Sequence, residues 1–229
     1  MQINHCIILC GGRGTRLREF NLTDQKCLIH INGVPFIEYL LKQFSQYKIT
    51  LCTGHLGEQV EVYYRDNKNI ILSREKKPLG TGGAIINALG KIKDDLIIIS
   101  NGDSFCEFDL NHATKIFLEK DIDFLMITTD NFKDLGDYGM VEINEKSRIK
   151  SFNEKPSNAG LDNLMNCGVY IAKKRVFKNY EVANISLEKD VIPEIVKNYK
   201  CYSHNVHSKV YDIGTPERIK IAENFFKKQ

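Results

Sequence analysis

The stretch Cys6-Ile7-Ile8-Leu9-Cys10-Gly11-Gly12-Arg13-Gly14-Thr15-Arg16-Leu17 decides how this chain folds. Its apolar first part predicts a buried strand, which ends in a loop with three glycines and two arginines. Glycines let backbone N–H groups approach an anion closely, and arginines supply charge for phosphate oxygens. The stretch therefore predicts a phosphate-binding loop. A tight strand-to-helix turn with a solvated basic rim is the alternative.

Strand-like apolar runs alternate with helix-like segments through the first half of the chain. The predicted strands are His5–Cys10, Lys48–Thr53, Ile70–Ser73, Leu96–Ser100 and Phe124–Thr129, and the predicted helices are Phe36–Phe44, Glu58–Tyr64, Gly82–Leu89 and Leu110–Leu118. This order predicts an α/β fold, with a Rossmann-like, mixed but mostly parallel sheet and helices on both faces. Such sheets bind ligands beyond the carboxyl ends of their strands, where the opening loop lies.

The second half of the chain has a different pattern. The predicted elements are strands at Tyr138–Asn144, Arg148–Asn153 and Met165–Ala172, a hairpin turn at Glu142–Lys146, and helices around Glu188–Lys197 and Pro216–Phe226. No Pro- or Ser-rich linker and no repeat separates the halves. The sequence therefore predicts a single domain, 1–229, with a nucleotide-binding half at 1–130 and a substrate-binding half at 131–229.

Composition narrows the function classes. The 229 residues are 42% hydrophobic and 27% charged, as in ordinary soluble globular proteins. A net charge of only +3 argues against a nucleic-acid partner. The seven cysteines form no CxxC pair and favour a reduced, cytoplasmic compartment. The N-terminus lacks a secretory pattern, and no run reaches the roughly 18 apolar residues of a membrane span.

Two further features predict contacts with a nucleotide. Lys26 follows the first loop by ten residues, so it either reaches a phosphate there or begins a solvent-facing strand. Leu79-Gly80-Thr81-Gly82-Gly83-Ala84 is a second glycine-rich loop that opens a helix. Either Thr81 caps that helix after Pro78, or the bare backbone lies against a base or ribose. Two such turns in one sheet favour the second interpretation.

Acidic residues stand at the ends of two predicted strands. Asp103 follows the most apolar strand, and Asp212 lies in Val210-Tyr211-Asp212-Ile213-Gly214. Carboxylates at strand ends can hold a divalent cation on phosphates, although ordinary turns use the same residue types. Two of them, in a chain with two glycine-rich loops, predict a Mg²⁺ site.

Glu154-Lys155-Pro156 places an acid beside a base. Pro156 keeps Lys155 out of helical conformation, so the two side chains are expected to diverge. The glutamate can accept hydrogen bonds from sugar hydroxyls and the lysine can hold a phosphate. A solvated ion pair at a surface strand end is the alternative.

In their order along the chain these motifs resemble those of the sugar-1-phosphate nucleotidylyltransferases, or NDP-sugar pyrophosphorylases. The resemblance covers nearly the whole sequence. Residues 11–17 resemble the family's GGxGTRL signature, Lys26 its phosphate-binding lysine and Leu79–Ala84 its base-binding LGTGGA loop. The other matches are the metal-binding aspartates at Asp103 and Asp212, YGxV at Tyr138, Gly139 and Val141, EKP at Glu154, Lys155 and Pro156, and NxGxY at Asn166, Gly168 and Tyr170.

The chain departs from the family pattern at a few places. The family usually has proline on both sides of the lysine, where this chain has Gln25 and Cys27. Glu19-Phe20 stands where a proline is common. The sequence ends soon after Asp212, so the left-handed β-helix of the larger bifunctional members is not expected. In size it matches short members such as the heptose-1-phosphate guanylyltransferases and muramate-1-phosphate uridylyltransferases.

The resemblance implies an enzyme that transfers a nucleotidyl group from a nucleoside triphosphate to a sugar 1-phosphate and releases pyrophosphate, with Mg²⁺ as cofactor. GTP and a heptose 1-phosphate are the expected substrates, for surface polysaccharides such as capsule or lipopolysaccharide. UTP or CTP with another sugar 1-phosphate stays open. Nucleic acid and membrane are not expected partners, and a homo-oligomer is allowed.

The resemblance also assigns roles to individual residues. The expected catalytic residues are Arg16, Lys26, Asp103 and Asp212, and both aspartates are expected to bind the metal. The expected nucleotide-binding residues are Leu9, Gly11, Gly12, Gly14, Thr15, Gly80, Thr81, Gly83 and Asp103. The expected sugar-phosphate-binding residues are Tyr138, Gly139, Glu154, Lys155 and Asn166.

Two rival functions are less compatible with the sequence. A Rossmann dehydrogenase needs a small residue at the third glycine position of its first loop, where this chain has Leu17. A non-catalytic, nucleotide-sensing subunit has no need of a full set of catalytic side chains. This chain retains that set: Arg16, Lys26, Asp103, Lys155 and Asp212.

Overall fold

A nine-stranded mixed sheet runs through the chain in the computed structural model. The structure describes residues 2–12, 14, 17, 24–132, 138–154 and 163–228. The strands are β1 (His5–Cys10), β2 (His30–Ile31), β3 (Val34–Pro35), β4 (Lys48–Thr53), β5 (Ile70–Arg74), β6 (Leu96–Asn101), β7 (Ser104–Cys106), β8 (Phe124–Thr129), β9 (Gly139–Ile143), β10 (Ile149–Glu154), β11 (Leu164–Lys173), β12 (Cys201–Asn205) and β13 (Val210–Asp212).

The order of the strands places the loops that follow them along one edge. The main path runs β10-β9-β11-β6-β1-β4-β5, and β8 joins β11 to β12. Strands β6, β1, β4 and β5 pair in parallel, as the alternation of strands and helices predicts. Strand β11 introduces antiparallel pairing into the sheet, since it pairs antiparallel with β6 on one side and with β8 on the other. The predicted mixed sheet is confirmed.

Helices cover both faces of this sheet. They are α1 (Phe36–Gln43), α2 (Gly57–Tyr64), α3 (Gly80–Leu89), α4 (Leu110–Glu119), α5 (Ile192–Asn198, preceded by a π-helical turn at Leu187–Val191) and α6 (Pro216–Phe226). Successive residues of a strand point to opposite faces. Accordingly Ile98 of β6 joins the core beneath α1, α4 and α6, whereas Ile97 and Ile99 join the core beneath α3 and α5. Within the described residues no helix is long and apolar enough to span a membrane.

The structure differs from the sequence prediction at several elements. Strand β12 and the β2–β3 hairpin were not predicted, because β12 is polar and the hairpin strands have two residues each. The hairpin turn between β9 and β10 is centred later than predicted. Its Asn144 side chain accepts hydrogen bonds from the N–H groups of Lys146 and Arg148, at 3.0 and 2.9 Å.

Candidate active site

The loops after β1, β5 and β6 open into one cavity of about 480 Å³. Its lining includes the residues predicted for the nucleotide at Leu9, Gly11, Gly12, Gly80, Thr81 and Asp103, together with Lys26. Parallel pairing of these strands brings their carboxyl ends to one edge of the sheet. We name this space the first cavity. Arg16, Thr15 and Lys155 lie outside the described residues, and Gly14 is described but does not line the cavity.

The close approach of two loop backbones explains one glycine at this edge. The N–H of Gly102 donates to the carbonyl of Leu9 at 3.0 Å, and a Cβ on Gly102 would collide with the same oxygen. Gly12 differs, since a Cβ there would meet no described atom within 4 Å. Gly12 therefore presents bare backbone to open space, as a phosphate-binding loop requires.

Lys26 is held against Asp103 on the floor of the first cavity. Its Nζ lies 2.5 Å from Asp103 Oδ2, and the Lys26 side chain is only 13% exposed. Burial by itself would raise the pKa of Asp103. The Lys26 ammonium and the Ser104 hydroxyl outweigh burial, so the pKa lies below its usual range. The cavity thus contains a charged ammonium–carboxylate pair, which suits phosphate and metal chemistry.

Gln25 holds the segment around Lys26 in place, a role that the family's usual prolines would have there. Its side-chain amide donates to the carbonyl of Cys10 and accepts from the N–H of Cys27 at 2.7 Å. The Gln25 N–H in turn donates to Gln59 Oε1 at 2.6 Å. Gln25 is itself 2% exposed, so these bonds fix the lysine-bearing segment to the end of β1.

The second glycine-rich loop packs against the chain segment 183–185. The N–H groups of Gly82 and Gly83 point at the Ile185 carbonyl, at 3.0 and 3.3 Å, and a Cβ on Gly83 would collide with the Ala183 carbonyl. Gly83 does not line the first cavity. Packing within the protein therefore accounts for Gly83, whereas Gly80, with a φ of +68°, both lines the cavity and adopts a left-handed backbone.

Thr81 does not cap α3, whose N-terminus has no side-chain cap. Its hydroxyl donates to Glu188 Oε2 at 2.7 Å and accepts from the N–H of Leu187 at 2.8 Å. The loop that opens α3 is thereby tied to the π-helical turn before α5. This contact brings Glu188 to the first cavity.

A smaller cavity of about 70 Å³ adjoins the first, and we name it the second cavity. Its lining includes the predicted sugar-site residues Tyr138, Gly139, Glu154 and Asn166. Asn166 is fixed, since its Nδ2 donates to the Tyr170 hydroxyl at 2.7 Å and its Oδ1 accepts from the Gly168 N–H at 2.9 Å. The two cavities share two lining residues, Asn101 and Glu188.

The backbones of Asp212 and Asp103 lie close together in the fold, but the Asp212 side chain faces a different cavity. Strand β13 pairs with β7, so Asp212 is opposite Ser104. The Asp212 carboxylate accepts from the Tyr138 hydroxyl, from the Gly214 N–H at 2.8 Å and from Arg218 Nη1 at 3.2 Å. It lines a third cavity, of about 260 Å³, rather than the first. Burial and the neighbouring Asp212 charge raise the pKa of Tyr138, which keeps its hydroxyl protonated as a donor.

Comparison with known proteins decides the family. The nucleotidyl transferase family model matches residues 5–229. The chain belongs to the nucleotidyl transferase family. The resemblance to the sugar-1-phosphate nucleotidylyltransferases is confirmed, and with it the expectation that the chain is an enzyme of this class.

Relatives within the family differ in length. The chain is 30% identical, over 217 residues, to D-glycero-alpha-D-manno-heptose 1-phosphate guanylyltransferase of Campylobacter jejuni, covering 92% of this chain and 95% of that one. It is 31% identical to the bifunctional protein GlmU of Methanococcus maripaludis, covering 96% of this chain but 54% of the relative. It therefore spans about half the length of that bifunctional protein.

A solved structure in the family has the same fold along its whole length. HddC from Yersinia pseudotuberculosis, complexed with GMP-PN, aligns with a TM-score of 0.80 at 29% sequence identity. The alignment covers 97% of this chain and 99% of that one.

The donor set at the strand ends fits a Mg²⁺ ion. Mg²⁺ prefers a few carboxylate oxygens and completes its shell with phosphates and water. Asp103 directly precedes β7, and Asp212 lies on β13, which pairs with β7. Both side chains offer hard oxygen ligands, and Asp103 reaches the first cavity. Among the described residues no three His, Cys, Asp or Glu side chains form a metal cluster. Asp103 can therefore meet phosphates in the first cavity, whereas Asp212 lines the third cavity.

Sequence reasoning missed five polar residues of the first cavity. They are Gln25 (noticed only as a departure from the family), Glu75, Asn101, Asn184 and Glu188. Glu188 comes from a segment more than 80 residues after Asp103 in the sequence. The sequence predicts only a helix there. No sequence pattern indicates that Thr81 bonds to Glu188 and positions it at the cavity. For Glu75 the signal was its position directly after β5, at the same edge as the other loops.

Proposed function

We propose that this enzyme joins GTP and a heptose 1-phosphate to give GDP-heptose and pyrophosphate, for surface polysaccharide synthesis. The observation that carries the proposal is the junction of the two cavities. Asp103 lines the first cavity and Ser104 the second, while Asn101 and Glu188 line both. A reaction between two bound molecules requires such a junction, because the reacting atoms must meet in a fixed geometry.

In the proposed reaction a phosphate oxygen of the sugar 1-phosphate attacks the α-phosphorus of the nucleotide. A P–O bond forms there, the bond to the bridging oxygen of the leaving group breaks, and its electron pair leaves with pyrophosphate. The attacking phosphate is already ionised, so no strong base is needed. Lys26 lies in the first cavity, 2.5 Å from Asp103, and its positive charge is proposed to neutralise charge on the phosphates.

The remaining residues bind and orient the substrates. The backbone at Gly11 and Gly12 is proposed to hold the triphosphate, with Thr15 and Arg16 of the same loop. Glu154, Asn166 and the Gly139 backbone are proposed to bind sugar hydroxyls, and Lys155 the sugar phosphate. Bound Mg²⁺ supplies positive charge to the phosphates, and Asp103 and Asp212 are the residues proposed to hold it.

The division of the domain follows the cavities. The first cavity takes most of its lining from residues before 130, and the second takes most of its lining from residues after 131. This supports the proposed nucleotide-binding and sugar-phosphate-binding halves. Asn184 and Glu188 cross the division, so the second half contributes to both cavities.

We also propose that the enzyme works in the cytoplasm. All seven cysteines are free and buried, including Cys10 and Cys27 in the wall of the first cavity. Free thiols in a ligand-binding cavity suit a reducing compartment. The proposed substrates, a nucleoside triphosphate and a sugar phosphate, are cytoplasmic metabolites.

A pyrophosphate-release assay tests the proposed function. The purified protein is incubated with Mg²⁺, each of GTP, UTP, CTP and ATP, and a panel of sugar 1-phosphates that includes a heptose 1-phosphate. We expect pyrophosphate only when both substrates are present, and the highest kcat/KM for GTP with heptose 1-phosphate. A higher kcat/KM for another pair would correct the substrates. The absence of pyrophosphate with every pair would reject the enzymatic function.

A further inference from the structure

Arg218 is a cation of the third cavity to which the proposed function gives no role. It lies in the first turn of α6, and its Nη1 is 3.2 Å from Asp212 Oδ1. Its guanidinium group also lies over the ring of Tyr138, 5.4 Å from the ring centroid. Arg218 lines the third cavity but not the first. Its charge is therefore placed to act on Asp212 rather than on phosphates in the first cavity.

The Asp212 carboxylate is engaged through both of its oxygens. Oδ1 accepts from the Gly214 N–H at 2.8 Å and from Arg218, and Oδ2 accepts from the Tyr138 hydroxyl. An ionised carboxylate has about four acceptor positions, and these three bonds use three of them. The Asp212 side chain is only 9% exposed. Little of this carboxylate is therefore left for a metal ion while Arg218 and Tyr138 hold it.

The two aspartates proposed to hold the metal have different cationic partners. Asp103 is paired with Lys26, and both side chains line the first cavity. A triphosphate bound there can take up the charge of Lys26, which leaves Asp103 available to a metal. Arg218 lines a different cavity, so a bound triphosphate does not offer its guanidinium group a new partner. The bond between Arg218 and Asp212 must then be broken by the metal itself.

We propose that Arg218 is a positioning residue that holds Asp212 away from the metal, so that a divalent cation must displace the guanidinium group to bind this carboxylate. The inference rests on the metal role proposed for Asp212. A guanidinium group is always charged, and it repels a divalent cation that approaches the same carboxylate. Without Arg218 the buried carboxylate loses its counter-ion, and a divalent cation can take that place. Arg218 thus lowers the metal affinity of the empty enzyme.

A titration with Mn²⁺ tests the inference without any turnover. Mn²⁺ takes the same carboxylate and water ligands as Mg²⁺, and electron paramagnetic resonance measures the concentration that stays free in solution. The whole protein is titrated without nucleotide or sugar phosphate, so no phosphate contributes to the affinity. Partners of metal ligands change metal affinity ~10- to 100-fold, and we expect Arg218→Gln to bind Mn²⁺ at least ~10-fold more tightly than wild type.

Two further variants separate contact with Asp212 from charge in general. Lys209 is an exposed cation of the same cavity and lies over Tyr211, 5.6 Å from the ring centroid. Lys209→Gln is the matched control, and solvent screening should keep its Mn²⁺ affinity within ~2-fold of wild type. Tyr138→Phe keeps the ring beside Arg218 and removes the hydroxyl bond to Asp212, so it should tighten Mn²⁺ binding ~3-fold.

The same titration in an Asp212→Asn background decides whether Arg218 acts through Asp212. We expect the effect of Arg218→Gln to disappear there, and an effect that persists would overturn the inference. Equal or weaker Mn²⁺ binding by a folded Arg218→Gln variant would also overturn it.

Circular dichroism confirms the fold of each variant, and Tyr138→Phe decides the outcome if Arg218→Gln does not fold. Pyrophosphate release tests the proposed function separately. Release by wild type, together with an Mn²⁺ affinity that Asp212→Asn leaves unchanged, would support nucleotidyl transfer and overturn the role of Arg218. Tighter Mn²⁺ binding by Arg218→Gln that depends on Asp212, without pyrophosphate release from any substrate pair, would support the role of Arg218 and reject the catalytic proposal.

Discussion

The side chain of Gln25 donates a hydrogen bond to the backbone carbonyl of Cys10, and this bond ties the segment that carries Lys26 to the end of β1. Proline would stiffen such a segment by fixing its backbone. A buried glutamine stiffens it because its side chain bonds to two backbone groups and its own backbone N–H donates a third hydrogen bond, to Gln59. A different residue therefore gives the same mechanical result.

Removal of this side chain should loosen the site. Gln25→Ala would leave the Cys27 N–H and the Cys10 carbonyl without their side-chain partners. We expect the free energy of unfolding to fall by ~1–3 kcal/mol and kcat to fall as well, because Lys26 loses its support. Urea unfolding and pyrophosphate release measure the two effects. Gln46→Ala, an exposed glutamine, is the control. Unchanged stability and kcat in Gln25→Ala would contradict this account.

Asp103→Asn should affect turnover far more than folding. The variant loses the carboxylate that pairs with Lys26 and that is proposed to hold the metal. We expect kcat to fall at least ~100-fold, and urea unfolding to show a much smaller effect on stability. The fully exposed Asp66→Asn substitution serves as the control. Full Mg²⁺-dependent activity in Asp103→Asn would show that the metal assignment is wrong.

Two glycine substitutions should separate ligand binding from packing. A Cβ on Gly12 meets no described atom, so Gly12→Ala should keep its stability and lose nucleotide affinity. A Cβ on Gly83 collides with the Ala183 carbonyl, so the free energy of unfolding of Gly83→Ala should be ~1–3 kcal/mol lower than that of wild type. The variant should therefore unfold at a lower urea concentration. Calorimetric titration with GTP and urea unfolding measure both effects. A destabilised Gly12→Ala with intact affinity would reverse the assignment.

Glu188 should matter to the sugar phosphate. It lines both cavities and is oriented by Thr81 and Ser186, so we expect one of its oxygens to bind a sugar hydroxyl. Glu188→Gln should raise the KM for the sugar 1-phosphate ~10-fold and change the affinity for GTP little. Initial rates of pyrophosphate release at varied sugar phosphate give the KM. The exposed Glu181→Gln is the control, and an equal KM in both variants would exclude this role.

The ion pairs of Asp123 should make stability fall at acidic pH. Burial alone would raise the pKa of Asp123, but hydrogen bonds from Arg175 and the Lys200 N–H, with the nearby Lys173, lower it. A carboxyl whose folded pKa is depressed stabilises the fold above its unfolded pKa of about 3.9 and loses that contribution as pH falls through the folded value.

Asp123→Asn removes this titration. We expect the variant to be less stable than wild type at pH 7 and to lose less stability between about pH 4 and pH 2. Urea unfolding across this range measures the difference, with the exposed Asp66→Asn as control. Parallel stability curves for wild type and Asp123→Asn would show that another carboxyl is responsible.

The main strands and helices were predictable because each depends on a local pattern. Strand β1, strand β4 and helix α6 have the bounds that the sequence predicts, and in the structure Thr215 caps α6. Strand β12 lacks such a pattern, because Cys201 and Tyr202 are followed by three polar residues. Its formation depends on its pairing with β8. The placement of Asp212 beside Ser104 likewise depends on a pairing across more than 100 residues.

The residues expected to act at the strand ends could be predicted from the sequence. Leu9–Gly12, Lys26 and Asp103 lie in contiguous motifs, and a parallel sheet must bring such ends to one edge. The tertiary structure alone decided which other groups join them. It brought Glu75 and Glu188 to the first cavity, directed Asp212 toward Tyr138, and packed Gly83 against the Ala183 carbonyl. These outcomes depend on contacts between distant segments, which no local spacing of residues encodes.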